Sequence, residues 1–194
     1  MKVIAFNGSP RANGNTAQSL RFVLDELEKE GIETELIQLG GRKVFGCLAC
    51  TKCFKNKDNR CIRQDDEMNT FIEKMIEADG ILIGSPTYFS NVSTEVKALI
   101  DRCGFVSKAN DGNILRGKVG AAVVSVRRAG STFAYSAINF FFGIAEMTIA
   151  TSSYWNMTLA LHPGDVQKDE EGIDTFKTLG KNMAKLLKQR DANR

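Results

Sequence analysis

The sequence predicts an α/β fold: a doubly wound, five-stranded parallel sheet with helices on both faces and a cysteine-rich insertion after strand 2. Three observations predict it. Short apolar runs alternate with amphipathic stretches, as helices packed on a parallel sheet require. Two of these runs end in the same Gly-Ser-Pro turn, at residues 8–10 and 84–86. The 194 residues suffice for one buried core and are few for two, so we expect a single domain over residues 1–194.

The first two strands flank one clear helix. Residues 3–6, Val-Ile-Ala-Phe, form the first apolar run, and turn residues follow it. A helix is predicted over residues 16–30, because apolar residues recur at three- and four-residue steps and Gly31 provides a C-terminal stop. Residues 36–39 form a second, weaker strand near an edge of the sheet, and the cysteine-rich segment follows it.

The middle of the chain predicts two helices around a buried strand. The first helix has an apolar stripe from Met68 to Ile76, and Asp65 or Asp66 can cap it. Residues 81–83, Ile-Leu-Ile, form a nearly uninterrupted apolar run, as expected for a strand buried on both faces. After the loop to Ser93, the second helix has an apolar face made of Val96, Leu99, Ile100 and Cys103.

The last third supplies two strands and two helices. Strand 4 is predicted at residues 119–126, a phenylalanine-rich helix at 131–144 and strand 5 at 148–153. The inward face of the last helix is Ile173, Phe176, Leu179, Met183 and Leu187. Five strands alternating with five helices fit the flavodoxin-like order 2-1-3-4-5, which places a ligand beyond the carboxyl ends of strands 1 and 3.

The loop after strand 1, "NGSPRANGNT", has the composition of a phosphate cradle. Its glycines allow a tight turn whose backbone N–H groups converge at the start of a helix. Ser9, Arg11, Asn15 and Thr16 could bind a terminal phosphate through hydroxyl, guanidinium and amide groups. The loop matches neither the dinucleotide fingerprint nor the P-loop. The alternative is an ordinary polar turn with a helix cap.

The loop after strand 3, "GSPTYFSNVS", suits a flat heteroaromatic ring, because it combines backbone donors with aromatic faces in Pro86, Thr87, Tyr88 and Phe89. The aromatic pair could instead belong to the core or to a dimer contact. A third loop after strand 4, "SVRRAGST", adds Arg127, Arg128 and Gly130, although its arginines could also be a solvated face.

Three stretches resemble the corresponding segments of the NADPH-dependent FMN reductase family, a flavodoxin-like group that binds FMN: "FNGSPRANGNT", "GSPTYFSNVSTEVKALIDR" and "AAVVSVRRAGS…INFFFGIAEM". The compact cysteines after strand 2 resemble the iron-sulfur flavoprotein branch of that family. The likeness runs from residue 1 to about Trp155.

The resemblance implies specific binding residues. Those expected to hold the FMN phosphate are Ser9, Arg11, Asn13, Asn15, Thr16 and Ala17. Those expected to border the isoalloxazine are Ser85, Pro86, Thr87, Tyr88, Phe89 and Asn91, and the loop around Arg128 and Gly130 completes the site. Where the family loop commonly has consecutive glycines, this chain has Arg128-Ala129-Gly130. Because flavin carries the chemistry, no catalytic side chain is expected.

Composition and motifs argue against other function classes. A net charge of +3 with interspersed signs is small for a nucleic-acid binder, and no apolar run approaches the roughly 18 residues of a membrane span. The start lacks the features of a signal peptide, so we expect a cytoplasmic protein without nucleic-acid or membrane partners. A serine hydrolase is disfavoured because G-x-S-x-G is missing and the one histidine, His162, lies in the turn "LHPGD". Cys103 is expected in the core.

Four cysteines, Cys47, Cys50, Cys53 and Cys61, follow the spacing C-x2-C-x2-C-x7-C. In a reducing cytoplasm such a cluster favours metal or redox chemistry over structural disulfides. Structural zinc usually joins two cysteine pairs across a longer spacer. Three cysteines at two-residue gaps instead suit three corners of a [4Fe-4S] cluster. The spacing to Cys61 is longer than in ferredoxins but lies within the variation of the iron-sulfur flavoproteins. Zinc, and thiols that are free or oxidised, remain the alternatives.

Three hypotheses of function follow. The first is an oxidoreductase that passes electrons between FMN and a [4Fe-4S] cluster across a subunit interface. The second is a cluster-free NAD(P)H-dependent FMN or quinone reductase, and the third is a non-enzymatic electron carrier. The basic residues of the cysteine segment could attract an acidic electron-transfer partner such as ferredoxin; they are Lys52, Lys55, Lys57, Arg60 and Arg63. The phenylalanines of "NFFFG" favour a homodimer or homotetramer, or are core.

Overall fold

Strands and helices alternate along the chain in a computed structural model that describes residues 1–110 and 112–192. The strands are β1 (Lys2–Asn7), β2 (Glu33–Gln38), β3 (Gly80–Pro86), β4 (Val119–Val126), β5 (Thr148–Ile149) and β6 (Met157–Leu159). The helices are α1 (Asn15–Lys29), α2 (Lys52–Asn56), α3 (Met68–Glu77), α4 (Thr94–Ala109), α5 (Ser131–Ile144) and α6 (Glu170–Ala192). A 3-10 turn, Asp165–Lys168, precedes α6.

The sheet has the predicted parallel order, β2-β1-β3-β4-β5. Alternate residues of β1 pack on opposite faces, because successive side chains of a strand point to opposite sides. Ile4 and Phe6 join the apolar cluster under α3, α4 and α5, whereas Val3 and Ala5 join the cluster under α1 and α6. Helices therefore cover both faces of the sheet, which confirms the predicted doubly wound fold.

The bounds predicted for strand 5, residues 148–153, are wrong. Only Thr148 and Ile149 pair with the start of β4, and the pairing resumes at β6, whose Met157 lies opposite Val124. The polar residues between them turn towards α6: Ser152 donates a hydrogen bond to a carbonyl of that helix, and the Asn182 amide donates to the Thr151 carbonyl at 2.8 Å. The fifth position of the sheet is therefore filled by two short strands.

The predicted helices are confirmed: α1 is displaced by one residue from the predicted 16–30, and α5 spans the predicted 131–144. The N-cap residue of α3 is Glu67 and not Asp65 or Asp66, but Asp66, just before it, accepts a hydrogen bond from the Met68 amide at 3.2 Å through Oδ1. Cys103 lies in the core, as predicted. Within residues 1–110 and 112–192, no helix combines the length and apolar character needed to cross a membrane.

Candidate functional site

Side chains at the ends of β1 and β2 fix the loop that follows β1. The buried Asn7 accepts a hydrogen bond from the Ser9 amide at 3.1 Å through Oδ1, and Ser9 Oγ accepts one from the Arg11 amide at 3.2 Å. Gln38 donates from Nε2 to the carbonyl oxygen of Ser9 at 2.7 Å. At Gly40 a Cβ atom would lie 2.3 Å from the Ser9 carbonyl carbon, so only glycine permits this approach. The loop is thus held firmly against the sheet.

The loop ends at the N-terminus of α1, where the first-turn amides have no partner inside the helix. Thr16 and Ala17 are buried there, and Arg11 and Asn13 are exposed. These amides and the helix dipole form a site that favours an anion.

The side chain of Asn15 has a role that the sequence did not reveal. Its Nδ2 donates to the His162 carbonyl at 2.9 Å, and its Oδ1 accepts from the Gly164 amide at 2.9 Å. His162 lies in a turn, as predicted, and its amide donates to Asp165 at 2.7 Å. The side chain of Asn15 therefore anchors the turn before α6. Only the backbone N–H of Asn15 is left to face the anion site.

The loop after β3 is a tight reversal. Ser85 Oγ donates to the Pro86 carbonyl at 2.7 Å and accepts from the Ser93 amide at 3.0 Å. Tyr88 and Asn91 exchange backbone hydrogen bonds of 2.9 and 3.0 Å, which forces the two residues between them into the left-handed region. One of those residues is Phe89, whose side chain is fully exposed to solvent.

One hydroxyl in this loop lacks a partner. Thr87 Oγ1 is buried and makes no hydrogen bond within the described part of the chain. A buried polar atom without a partner costs free energy, so its presence beside an exposed aromatic ring suggests that a ligand supplies the missing bond.

The loops after β3 and β4 brace each other. Gly130 has φ of +88°, and a Cβ atom there would lie 2.4 Å from Ser90 Oγ. The Thr87 amide also donates to the Ser125 carbonyl at the end of β4, at 2.8 Å. Arg127 and Arg128 are exposed beside this contact. Since β1, β3 and β4 are neighbours in the sheet, the three predicted binding loops lie side by side at one edge.

The four cysteines of the insertion line a common pocket against α4, together with Phe105 and Val106 of that helix. Ala49 and Thr51 adopt left-handed φ angles of 50° and 56°, and α2 starts directly after them. Cys47 Sγ accepts a hydrogen bond from the Ala49 amide at 3.4 Å. Such alternation of backbone handedness points amide groups inward and is a feature of many anion and iron-sulfur sites.

Three of the four cysteines in the pocket, Cys47, Cys53 and Cys61, are partly buried, whereas Cys50 is exposed. Burial raises the pKa of Cys53 above its usual value, although nearby backbone amides oppose the shift. Burial alone raises the pKa of Cys103, which lies outside the pocket, to about 12. Within the described residues, no three Cys, His, Asp or Glu side chains are gathered closely enough to hold a single metal ion. All four cysteines nevertheless line the same pocket.

Two buried side chains that sequence reasoning missed hold the ends of this segment. Asn69 of α3 exchanges hydrogen bonds of 2.8 and 2.9 Å with the backbone of Cys61. Arg102 of α4 donates to the Phe45 carbonyl at 3.2 Å and to the Arg63 carbonyl at 3.1 Å. The signal for Arg102 was its position one turn after Leu99, inside the apolar stripe of the helix.

Arg102 also forms a fully buried ion pair with Asp66. Burial by itself would raise the pKa of Asp66, but hydrogen bonds from Arg102 and from the amides of Phe45 and Met68 outweigh it and lower the pKa below its usual value. The pair therefore fixes the junction between the cysteine segment, α3 and α4.

The two arginines of the cysteine segment form ion pairs with carboxylates, whereas two of its lysines are exposed. Arg60 pairs with Glu73, and Arg63 pairs with Asp65 at 2.8 Å while its guanidinium lies 3.8 Å from the centre of the Phe45 ring. Lys52 and Lys55 are exposed.

An apolar groove of about 560 Å³ runs between α4 and α5 beside the cysteine segment. Its walls include Phe54 and Phe105, whose rings meet edge to face at 6.1 Å, and the exposed Phe140 and Ile144. In "NFFFG", Phe141 and Phe142 are core residues, as one of the two interpretations expected, whereas Phe140 is 76% exposed.

The same architecture and sequence recur in known flavoproteins. Residues 1–162 match the model of the NADPH-dependent FMN reductase family. The chain is 37% identical, over 97% of its length and 98% of the relative's, to an iron-sulfur flavoprotein of Methanocaldococcus jannaschii.

Solved structures show the likeness of the fold. A flavodoxin from the domain Archaea matches with a TM-score of 0.61 and 19% identity, over 97% of this chain and 99% of the other. An NAD(P)H:quinone oxidoreductase from Methanothermobacter marburgensis matches with a TM-score of 0.67 and 16% identity, over 94% and 96%. With the family match, these findings lead to one conclusion: the chain belongs to the NADPH-dependent FMN reductase family of flavin-dependent oxidoreductases, in its iron-sulfur flavoprotein branch.

Proposed function

We propose that this oxidoreductase holds FMN at the three strand-end loops and a [4Fe-4S] cluster in the cysteine pocket, and that it passes electrons between them. The observation that carries the proposal is that Cys47, Cys50, Cys53 and Cys61 all line one pocket. A [4Fe-4S] cluster takes one thiolate at each of its four irons. The four thiols that line the pocket match this number of ligands.

The FMN phosphate is assigned to the loop after β1, with Ser9, Arg11, Asn13, Asn15, Thr16 and Ala17 as its contacts. The unpaired amides at the start of α1 and the exposed guanidinium of Arg11 support this assignment. Because the Asn15 side chain is engaged with the turn before α6, that residue acts through its backbone N–H.

The isoalloxazine is assigned to the loop after β3, bordered by Ser85, Pro86, Thr87, Tyr88, Phe89 and Asn91, with Arg128 and Gly130 completing the site. The unpartnered Thr87 hydroxyl suits a polar edge of the ring, and the exposed Phe89 suits its face. Fitting groups are thus present for both halves of FMN.

The cysteine pocket supplies what an iron-sulfur ligand set needs. The thiols must lose their protons to bind iron, which burial of Cys53 opposes, so metal binding and proton release are coupled. The Ala49 amide already donates to the sulfur of Cys47 and would offset thiolate charge. When bound, FMN accepts electron pairs and releases single electrons, and a cluster carries them one at a time.

We further propose that NAD(P)H or a small acidic carrier such as ferredoxin is the redox partner, in a reducing cytoplasm. The exposed Lys52 and Lys55 beside the pocket support the acidic carrier. The apolar groove between α4 and α5 supports a homodimer or homotetramer, since large exposed apolar patches mark interfaces. Electrons would then cross a subunit boundary.

A stepwise reduction under argon tests the function. The protein is titrated with NADH, NADPH or reduced ferredoxin while flavin absorbance and low-temperature electron paramagnetic resonance are recorded. We expect flavin bleaching together with the signal of a reduced cluster. Bleaching by NAD(P)H without any cluster signal would support the cluster-free reductase instead. Protein that cannot be reconstituted with FMN would contradict the proposal entirely.

A further inference from the structure

Arg102 is the one charged side chain of α4 that lies entirely inside the protein at the cysteine pocket. It is 1% exposed and lines that pocket beside the four thiols. Its charge is permanent, because a guanidinium keeps its proton in proteins. A buried cation beside a ligand set that becomes negatively charged must affect the energy of that charge.

The guanidinium is only partly used by the protein. Nη1 bonds Asp66 and the Phe45 carbonyl, and Nη2 bonds the Arg63 carbonyl. Nε is buried and has no hydrogen-bond partner within the described residues. A buried N–H of a charged group without an acceptor is costly, so an acceptor in the pocket is expected.

We propose that Arg102 is a positioning and tuning residue of the cysteine pocket, whose Nε–H donates to a thiolate or cluster sulfur bound there. This inference rests on the proposed iron-sulfur function. Reduction adds one electron, and therefore one negative charge, to the bound group. A nearby cation and N–H donor stabilise that added charge, so Arg102 raises the reduction potential.

Two variants separate this role from simple support of the fold. Arg102→Lys keeps a cation for Asp66 but has no N–H at the Nε position. Asp66→Asn breaks the same ion pair but leaves the guanidinium in place and removes a negative charge. A structural role predicts shifts of the same sign, since both variants loosen the same junction. Tuning by Arg102 predicts opposite signs.

The experiment is an anaerobic redox titration of the holoprotein, followed by electron paramagnetic resonance, with iron and sulfide assayed in every sample. We expect Arg102→Lys to lower the equilibrium constant for reduction about tenfold, which is about 59 mV for a one-electron couple. Asp66→Asn should raise this constant, because it removes a negative charge and leaves the guanidinium in place.

Several outcomes overturn the inference. They are an unchanged potential in Arg102→Lys, a fall of the potential in both variants, or an Arg102→Lys protein that folds but holds no iron. If Arg102→Lys does not fold, a lowered constant in Asp66→Asn alone overturns it and a raised one supports it. Absence of iron and sulfide from the wild-type protein would instead defeat the proposed function itself, so the two failures are distinguishable.

Discussion

Replacing Gly130 by alanine tests whether the loops after β3 and β4 form one braced flavin site. Gly130 has φ of +88°, where an L residue pays roughly 1–2 kcal/mol. The new Cβ would also lie 2.4 Å from Ser90 Oγ and 3.0 Å from Ser90 Cα, so the backbone of the aromatic loop must move. Overpacking of this kind typically costs about 1–3 kcal/mol.

Because the loop after β3 is exposed, it can move and relieve the overlap in the absence of ligand. Restoring its geometry on binding then costs about 1–3 kcal/mol, which raises the Kd for FMN by about five- to 150-fold. Quenching of FMN fluorescence measures the Kd, and urea unfolding of the apoprotein measures the cost of the φ angle.

Two other glycines provide controls for this substitution. Gly117 has φ of +73° with no atom within 4 Å of a Cβ position, so Gly117→Ala pays the backbone cost without moving a loop. Gly143, near the end of α5, has open space around it, so Gly143→Ala should be neutral or stabilising by up to about 1 kcal/mol. Both should bind FMN like the wild type. Wild-type affinity in Gly130→Ala would refute the braced-site reasoning.

Three further predictions concern the phosphate loop, the cysteines and the buried ion pair. Arg11→Gln should weaken FMN binding about tenfold and leave riboflavin binding unchanged, because riboflavin has no phosphate. The control Arg21→Gln, on α1, should leave the affinity for both flavins unchanged. Loss of affinity for both flavins in Arg11→Gln would contradict the phosphate contact. Cys50→Ser should lose iron and keep flavin, whereas Cys103→Ala should keep both, as iron and flavin assays would show. Because the pKa of Asp66 is lowered in the folded protein, its ion pair stabilises the fold above about pH 4, and this stabilisation is lost as the pH falls further. The urea midpoints of the wild type and Asp66→Asn should therefore converge in acid. A difference between the two midpoints that does not change with pH would contradict this.

The sequence was sufficient for the sheet order because buried parallel strands carry a strong local signal. The runs at residues 81–83 and 119–126 are apolar on both faces, and they became β3 and β4. The prediction of strand 5 at residues 148–153 was wrong because the local signal there is weak. The three residues of β6 are too few to show a period, and Thr151 and Ser152 bond to α6, a contact that no local pattern predicts.

The sequence predicts where the three loops of the candidate site lie, but it does not predict the side-chain contacts that hold them. The positions of the three loops follow from strand ends, which sequence patterns locate well. The engagement of the Asn15 side chain with the turn at His162 joins residues 147 apart, and the tie from Arg102 to Phe45 joins residues 57 apart. Such pairings depend on the tertiary packing of whole elements, so composition and spacing do not specify them.

The proposed function requires that one chain holds both redox centres. Purification without oxygen, followed by assays of iron, acid-labile sulfide and FMN per chain, tests it most directly. We expect about four irons and four sulfides for each FMN. A yellow protein containing FMN with neither iron nor sulfide would contradict it.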